Sequence, residues 1–347
     1  MSPSVASVAA SPPALQSWGE HMRATFLLGL PLAGAQLAQV SINVTNTVVI
    51  GRIGAAELAA AVLATQFFYL FWMFGSGFAY AVMPLVANAV GGGDVRSVRR
   101  SVRMGLWATS LYGAVVMVPL WFTEAILLLI GQDPHVSALA GLYARFFQWS
   151  MLPYLGIFVF RSYLSALERP RVVLIMTVIG ALANAALNYA LVFGHFGLPA
   201  LGLPGSGIAS VITSSLVLLL LVIYTRRAAF LRRYELYERF WRFDAHAFSE
   251  ILRLGWPIGT TILAEVALFT AASVMMGWIG TIELAAHGIA LQIASVSFMI
   301  PLGLASAATV RTGTAFGRGE AGNVARAART ALLVAVAISL AAATLFW

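Results

Sequence analysis

One carboxylate lies in the middle of a long apolar stretch of this sequence. Glu265 is about eleven residues into the run 254–276, which in a helix places it roughly 16 Å from the start of that run. A charged side chain at such depth in a membrane is costly and usually faces a bundle interior, where it marks an ion or proton pathway. Low dielectric favours the protonated carboxyl and a bound cation favours the carboxylate. We therefore interpret Glu265 as a coupling site that binds either a proton or a metal cation; the alternative is a structural carboxyl hydrogen-bonded to Thr261.

A row of side-chain amides follows one face of the first apolar run. Gln36, Gln39, Asn43 and Asn46 are separated by three, four and three residues, which places all four on one side of a helix. Within hydrocarbon such groups must face protein or a water-filled cavity. They either line a cavity or connect helices through hydrogen bonds, as amides do in membrane bundles.

Two more amides and one imidazole lie in later apolar runs. Asn184 and Asn188 are one helical turn apart and share a face with Thr177, so the same two interpretations apply. His287 can titrate near neutral pH and is a candidate for the cavity wall. A packing histidine is the alternative, because it has no metal-ligating partner four residues away.

Three prolines interrupt apolar runs, namely Pro84, Pro153 and Pro301. Each can kink a helix, either as a static bend or as a hinge for opening and closing a pathway. No Ser-His-Asp arrangement, metal-ligand cluster or dinucleotide fingerprint occurs in the sequence, which argues against an enzyme and against a protein-bound cofactor.

The composition identifies the elements that must position these groups. Of the 347 residues, 60% are hydrophobic and only 10% are charged, with a mean hydropathy of +0.87. Soluble domains are about 25% charged, and the apolar runs exceed the strands of a membrane barrel in length. The composition therefore predicts an all-α polytopic membrane protein. Nine runs are long enough to be spans: 25–50, 57–90, 104–130, 138–160, 172–194, 204–225, 254–276, 284–310 and 330–347.

The basic residues report the orientation of these spans. All 21 are arginines, and with the N-terminus inside only Arg52 and Arg145 fall on the outer side. The positive-inside rule then predicts a cytoplasmic N-terminus, and this distribution argues against a nucleic-acid partner. Residues 1–24 lack the apolar core of a signal peptide and are interpreted as a disordered cytoplasmic tail. Residues 226–253 mix arginine, glutamate and aromatic residues, which is typical of an amphipathic cytoplasmic linker.

An internal repeat divides the chain into two bundles. When residues 29–103 are aligned with 255–329 by a shift of 226, 25 of 75 positions are identical, whereas shared common residues alone would give about a tenth. Gln39 is the repeat partner of Glu265. Six spans separate the copies, so the repeat is parallel. We expect a complete six-helix bundle over 25–225 and about three of six helices of a second bundle over 254–347.

Several segments resemble the multidrug and toxic compound extrusion (MATE) family, in particular its NorM-like bacterial branch. The resemblance covers about 25–347, and its motifs are loose singly but specific in their order and spacing. They include Asn46-Thr-Val-Val-Ile-Gly-Arg-Ile-Gly, Gly205-Ser-Gly-Ile-Ala-Ser, Arg253-Leu-Gly-Trp-Pro, Glu265-Val-Ala-Leu-Phe, Ala285-Ala-His-Gly-Ile-Ala-Leu-Gln and Val310-Arg-Thr-Gly-Thr-Ala-Phe-Gly.

The resemblance implies a bacterial inner-membrane antiporter of twelve helices in two bundles around a V-shaped cleft. Na⁺ or H⁺ would drive export of small organic compounds, often cationic and aromatic, with membrane lipid around it and no oligomer implied. Glu265 matches the family's carboxylate in the seventh helix, and Asn184 and Asn188 match polar positions of the fifth. The family's first-helix Asp is Asn46 here, which cannot take up a proton near neutral pH, and its tenth-helix acid would lie beyond residue 347.

Two other functions remain open from the sequence. A flippase for a lipid-linked amphiphile would share the architecture but would place more basic residues in its cavity, whereas these span interiors are nearly free of arginine. A chain with part of the second bundle missing could also insert without transporting anything.

Overall fold

The computed structural model describes residues 17–195, 197 and 199–346, and these residues form a helical protein. Residues 1–16 of the expected tail and Trp347 lie outside the described residues. The α-helices are α1 (Trp18–Gly51), α2 (Ala55–Gly91), α3 (Val95–Trp121), α4 (Thr123–Leu129), α5 (Pro134–Phe147), α6 (Met151–Ala166), α7 (Pro170–Phe193), α8 (Leu203–Arg227), α9 (Ala229–Arg232), α10 (Ala245–Ile279), α11 (Thr281–Gly317) and α12 (Ala321–Phe346).

Eight of the described helices are long and apolar enough to cross a membrane: α1, α2, α3, α7, α8, α10, α11 and α12. The fold is thus that of a multi-pass membrane protein. The predicted fourth span, 138–160, is instead divided into α5 and α6 by a 3₁₀ turn at Gln148–Ser150. Pro153 is the third residue of α6, and the absence of its N–H from the helical ladder accounts for a break at this point.

Helices α1 and α10 begin earlier than the hydrophobic runs predict, because polar residues cap their N-termini. Ser17 and Glu20 form a capping box that begins α1 at Trp18, so residues 18–24 are helical rather than part of a tail. Asp244 accepts a hydrogen bond from the backbone N–H of Ala247 and begins α10 nine residues before the predicted seventh span. Cap residues satisfy the unpaired N–H groups of a first turn, and they extend these helices beyond the hydrocarbon.

The connection between the bundles is correspondingly shorter than the predicted linker 226–253. It contains the single turn α9 and a series of turns up to Asp244. Tyr234 and Leu236 are buried in the core of the first bundle, whereas Trp241 is 82% exposed. The connection, which we call the linker (residues 228–244), therefore packs its aliphatic and tyrosine side chains inward and presents a tryptophan outward.

The two bundles contact each other through backbone at glycine residues. A β-carbon added to Gly77 of α2 would clash with the backbone of Gly259 in α10, and one added to Gly303 of α11 would lie 2.7 Å from the backbone N of Ala33 in α1. Small residues allow such approach, and close van der Waals packing replaces the hydrophobic effect between helices in lipid.

These contacts occur in pairs that are related by the sequence repeat. Positions 77 and 303 differ by 226, and so do their respective neighbours 33 and 259. Gly91 likewise meets the carbonyl of Thr314, while Gly317 meets that of Asn88, and both pairs are related by the same shift. The interface between the bundles is therefore self-complementary, as at a two-fold axis.

An arginine near the end of α11 also joins the two bundles. Arg311 of α11 donates to the His21 carbonyl at 2.5 Å and to Thr25 Oγ1 at 3.0 Å, both on α1. A second guanidinium nitrogen lies 2.6 Å from His21 Nδ1. Since arginine only donates, Nδ1 accepts and the imidazole proton is on Nε2.

We predict that Gly77→Ala and Gly303→Ala each destabilise the chain by about 1–3 kcal/mol, the usual cost of overpacking. The measurement is the thermal unfolding temperature of the detergent-solubilised protein. Gly288→Ala is the matched control in α11, because a β-carbon there meets nothing within 4 Å. Equal behaviour of all three variants would contradict the backbone contact.

The linker is attached to α3 by ion pairs. Arg100 donates to Asp244 at 2.9 Å, and Arg99 lies 2.8 Å from Glu235. The pKa of Asp244 is lowered from its ordinary value of 3.8, chiefly because Arg100 hydrogen-bonds to it, while burial acts in the opposite direction. Such a carboxyl stabilises the fold above its unfolded-state pKa, and the stabilisation is lost as pH falls through the folded-state pKa.

Asp244→Asn should therefore lower the unfolding temperature at neutral pH, and the deficit should shrink as the pH falls below the ordinary value of 3.8 and through the lowered folded-state pKa, where the native carboxyl becomes protonated as well. Asparagine caps helices about as well as aspartate, so the variant removes the ion pair and keeps the cap. Asp133→Asn, at the cap of α5, is the control and should change little at either pH. A deficit that persists unchanged at acidic pH would rule out the ion pair as its cause.

Candidate functional site

A cleft of about 580 Å³ lies between the two bundles, next to the glycine contacts. Its walls come from α1, α2 and α6 on one side and from α10 and α11 on the other. The polar lining residues are Gln36, Gln39, Ser76, Tyr80, Glu265, Ser306 and Thr309. We call this space the central cleft.

The central cleft brings together Glu265 and two of the four first-helix amides. Gln39 and Glu265, which are repeat partners, line it from opposite bundles. A two-fold relation between bundles places equivalent positions across the axis from each other, which accounts for this arrangement. Glu265 is exposed to the cleft, so its carboxylate is accessible to an ion or a solute.

The remaining lining is aromatic and thioether-rich. Trp72 and Phe158 belong to the first bundle, whereas Phe269 and Phe298 belong to the second. Met73, Met83 and Met299 belong to the same lining. Aromatic faces attract cations, and methionine adapts to irregular ligands. The lining can thus accommodate flat, apolar and positively charged molecules of different shape.

A buried arginine lies behind this wall, and the sequence did not indicate it. Arg161 of α6, which the charge pattern assigned to a cytoplasmic segment, is only 7% exposed. It donates to Gln36 Oε1 at 2.8 Å, and its guanidinium carbon is 5.3 Å from the centre of the Phe158 ring. Gln36 therefore serves as the acceptor of a buried cation in addition to lining the cleft.

The other predicted amides form a hydrogen-bonded cluster inside the first bundle. Asn188 of α7 donates to Asn46 Oδ1 at 2.9 Å and to Asn184 Oδ1 at 3.2 Å. Asn46 in turn donates to Ser210 of α8 at 3.4 Å. Asn184 and Asn188 are fully buried. These amides connect α1, α7 and α8, which is the interhelical role left open by the sequence.

A separate pocket of about 180 Å³ adjoins this amide cluster and is lined by Asn43, Asn46 and residues of α2, α5 and α6. Tyr69 donates to Asn43 Oδ1 at 2.7 Å, and Tyr143 and Tyr154 complete the wall. Asn43 and Asn46 therefore line a cavity and also bond to neighbouring helices. The tyrosines were not identified from the sequence, because aromatic residues in apolar runs resemble ordinary core.

The remaining sequence candidates are distributed over different parts of the fold. Pro84 lines the central cleft, and Pro153 follows the break in the fourth span. Pro301 is inside α11. His287 is near the start of α11 and is not part of the lining described for either cavity, so its role as a cavity residue stays a prediction.

Within the described residues, no group of three histidine, aspartate or glutamate side chains is placed to hold a metal ion. A Na⁺ ion at Glu265 would need neutral oxygen atoms as its other ligands, since alkali and alkaline-earth cations accept amide, hydroxyl and carbonyl oxygens. The candidates in the cleft are Gln39, Ser306 and Thr309.

Two helical bundles around a shared cleft, each presenting equivalent positions to it, define a membrane protein built as a parallel repeat. The family model described as MatE matches residues 31–190 and 257–347. The chain belongs to this family.

Curated relatives agree with this assignment. The chain is 53% identical over 330 residues to the "Probable multidrug resistance protein NorM" of Rhizobium meliloti (strain 1021), covering 95% of this chain and 71% of that protein. It is 49% identical to the protein of the same name from Agrobacterium fabrum (strain C58 / ATCC 33970), with the same coverage.

Solved structures share the fold. The eukaryotic MATE transporter AtDTX14 superposes with a TM-score of 0.81 at 20% identity, over 91% of this chain and 70% of that one. An outward-facing conformation of a multidrug resistance MATE family transporter superposes with a TM-score of 0.82 at 18% identity, over 96% and 74% of the two chains.

We predict that Gln36→Leu destabilises the protein by about 1–3 kcal/mol, because it leaves a buried charged donor without its acceptor. Gln39→Leu is the control, since Gln39 lines the same cleft and has no side-chain hydrogen bond among the described residues. The double variant Gln36→Leu/Arg161→Met should recover much of the loss, because removing both partners of a buried polar pair costs little. Thermal unfolding in detergent measures all three, and a double variant no better than Gln36→Leu would contradict the pairing.

Proposed function

We propose that this chain is a multidrug efflux transporter that exports small organic compounds by alternating access, in exchange for Na⁺ or H⁺ bound at Glu265. The observation that carries the proposal is the position of Glu265 in the central cleft, across from Gln39 and among Trp72, Phe269 and Phe298. The names of the NorM relatives support the direction and class of transport.

The proposal also includes the membrane in which the chain lies and its orientation there. Eight candidate spans support a multi-pass membrane protein, and the arginine distribution favours a bacterial inner membrane with the N-terminus in the cytoplasm. In that orientation, the Gly91–Thr314 and Gly317–Asn88 contacts and the Arg311–His21 bonds join the bundles on the cytoplasmic side of the cleft. The substrate would enter this cleft from the inside only after those contacts separate.

The coupling step uses competition at one carboxylate. An ionised Glu265 attracts a cationic, aromatic substrate, whose ring packs on the aromatic lining. Binding of H⁺ or Na⁺ to the same carboxylate cancels the charge and releases the substrate. Because a ligand shifts a conformational equilibrium only by its differential affinity for the two states, the ion and the substrate must favour opposite orientations of the bundles.

The lining also distinguishes this function from the flippase alternative. No arginine is part of the lining described for the central cleft, and the buried Arg161 is occupied by Gln36. An anionic lipid-linked headgroup would require cations on that wall. The lining favours small organic cations as substrates.

Glu265→Gln should abolish gradient-driven export. The full chain is expressed in a bacterial host without its own drug pumps, and efflux of a cationic dye such as ethidium is followed in cells and in proteoliposomes with an imposed H⁺ or Na⁺ gradient. Glu283→Gln is the matched control, because Glu283 is an exposed acid at the start of α11 and outside the cleft lining.

Each outcome is informative. Native-level efflux by Glu265→Gln would remove this carboxylate from coupling. An absence of efflux by the native chain, at verified insertion and amount, would contradict export by this chain. Loss in both glutamine variants would point to a general effect of removing acidic residues rather than to the cleft.

A further inference from the structure

A second large cavity lies on the outer face of the first bundle, separate from the central cleft. It is a groove of about 740 Å³ between α3, α6 and α8, with the linker at one end. It shares no lining residue with the central cleft. We call it the outer groove.

The outer groove is apolar along its length. Leu106, Leu152, Leu218, Leu219 and Val222 form its walls. Its floor includes Gly156, where an added β-carbon would come within 3.1 Å of Leu218 Cδ1. Gly156 thus lets Leu218 of α8 pack closely on α6 at the floor of the groove.

The helix faces beside the groove are those that meet hydrocarbon. Leu111 and Val115 of α3 are 57% and 61% exposed, and Leu219 of α8 is 55% exposed. In a multi-pass membrane protein, contiguous exposed apolar side chains of this kind contact acyl chains. The groove opens on this surface and is accessible from within the bilayer.

The mouth of the outer groove is basic and aromatic. Arg226, in the last turn of α8, lines it together with Tyr237, Phe240 and Trp241 of the linker. The guanidinium carbon of Arg226 is 4.4 Å from the centre of the Tyr237 ring, and Arg226 takes part in none of the ion pairs found among the described residues. Trp241 at this level is typical of an aromatic belt at the membrane–water interface.

We propose that the outer groove binds one anionic phospholipid of the surrounding membrane, with an acyl chain between α6 and α8 and the phosphate on Arg226. The groove supplies the apolar part of the site, and a cation without an acidic partner supplies the charge. Basic pockets between helices on the cytoplasmic side recognise lipid headgroups in this way. The site is independent of the proposed export, since none of its residues lines the cleft.

Native mass spectrometry of the full chain in detergent tests the proposal. The protein is titrated with phosphatidylglycerol or with phosphatidylcholine of the same acyl chains, and the retained lipid is counted. The native chain should retain phosphatidylglycerol in preference. Arg226→Gln should weaken retention by about 10-fold, which corresponds to the loss of one charge-assisted hydrogen bond of roughly 1.4 kcal/mol.

The chain offers two matched comparisons. Arg227→Gln removes an exposed charge one residue away that does not line the groove. This variant should bind phosphatidylglycerol as the native chain does. Ser215→Trp places a bulky ring into the groove from an exposed position on α8, and should lower retention without any change in charge.

Three results would overturn the proposal. Equal losses in the Arg226 and Arg227 variants would indicate diffuse surface charge. Equal retention of both lipids by the native chain would exclude an anionic preference. Unchanged retention by Ser215→Trp, with its unfolding temperature unaltered, would show that lipid binds elsewhere.

Discussion

The close approach of the two bundles at glycine is the constraint on which the rest of this architecture depends. Lipid offers no hydrophobic incentive for apolar helices to associate, so their contact relies on van der Waals packing between small residues. Gly77 against Gly259 and Gly303 against Ala33 provide it. The cleft lies beside these contacts, and its lining on α1 and α10 includes Gln36, Gln39 and Glu265. The contact thus positions both walls of the cleft.

The central cleft and the smaller pocket of the first bundle differ in charge. The pocket of the first bundle holds uncharged amides and tyrosines, and its Asn46 already bonds to Asn188 and Ser210. The cleft holds a carboxylate from the second bundle only. Our proposal therefore places cation exchange at Glu265, while the amide cluster connects α1, which contributes to the opposing wall, to α7 and α8. Arg161 adds rigidity to that wall by fixing Gln36.

Much of this arrangement could be predicted from the sequence, because hydrophobic runs and a repeat are properties of the chain itself. The shift of 226 paired Gln39 with Glu265, and the fold places them across the cleft. What could not be predicted depends on tertiary packing. An arginine near the end of an apolar run has the same sequence pattern whether it is exposed to water or, like Arg161, is buried and hydrogen-bonded to a glutamine. The early start of α10 was missed because Asp244 resembled one more charged linker residue, although its side chain caps a helix.

The repeated glycine contacts have a consequence for how this interface can change. Each contact occurs twice, once in each direction, as in a homodimer whose subunits have been joined by the linker. In a true homodimer one substitution alters both copies of a contact at once. Here the two copies of each contact are encoded by different segments of one chain. A substitution therefore changes only one copy, and the two halves of the symmetric surface can diverge independently. Gln39 and Glu265 occupy equivalent positions and differ in charge, so a symmetric frame holds an asymmetric charge.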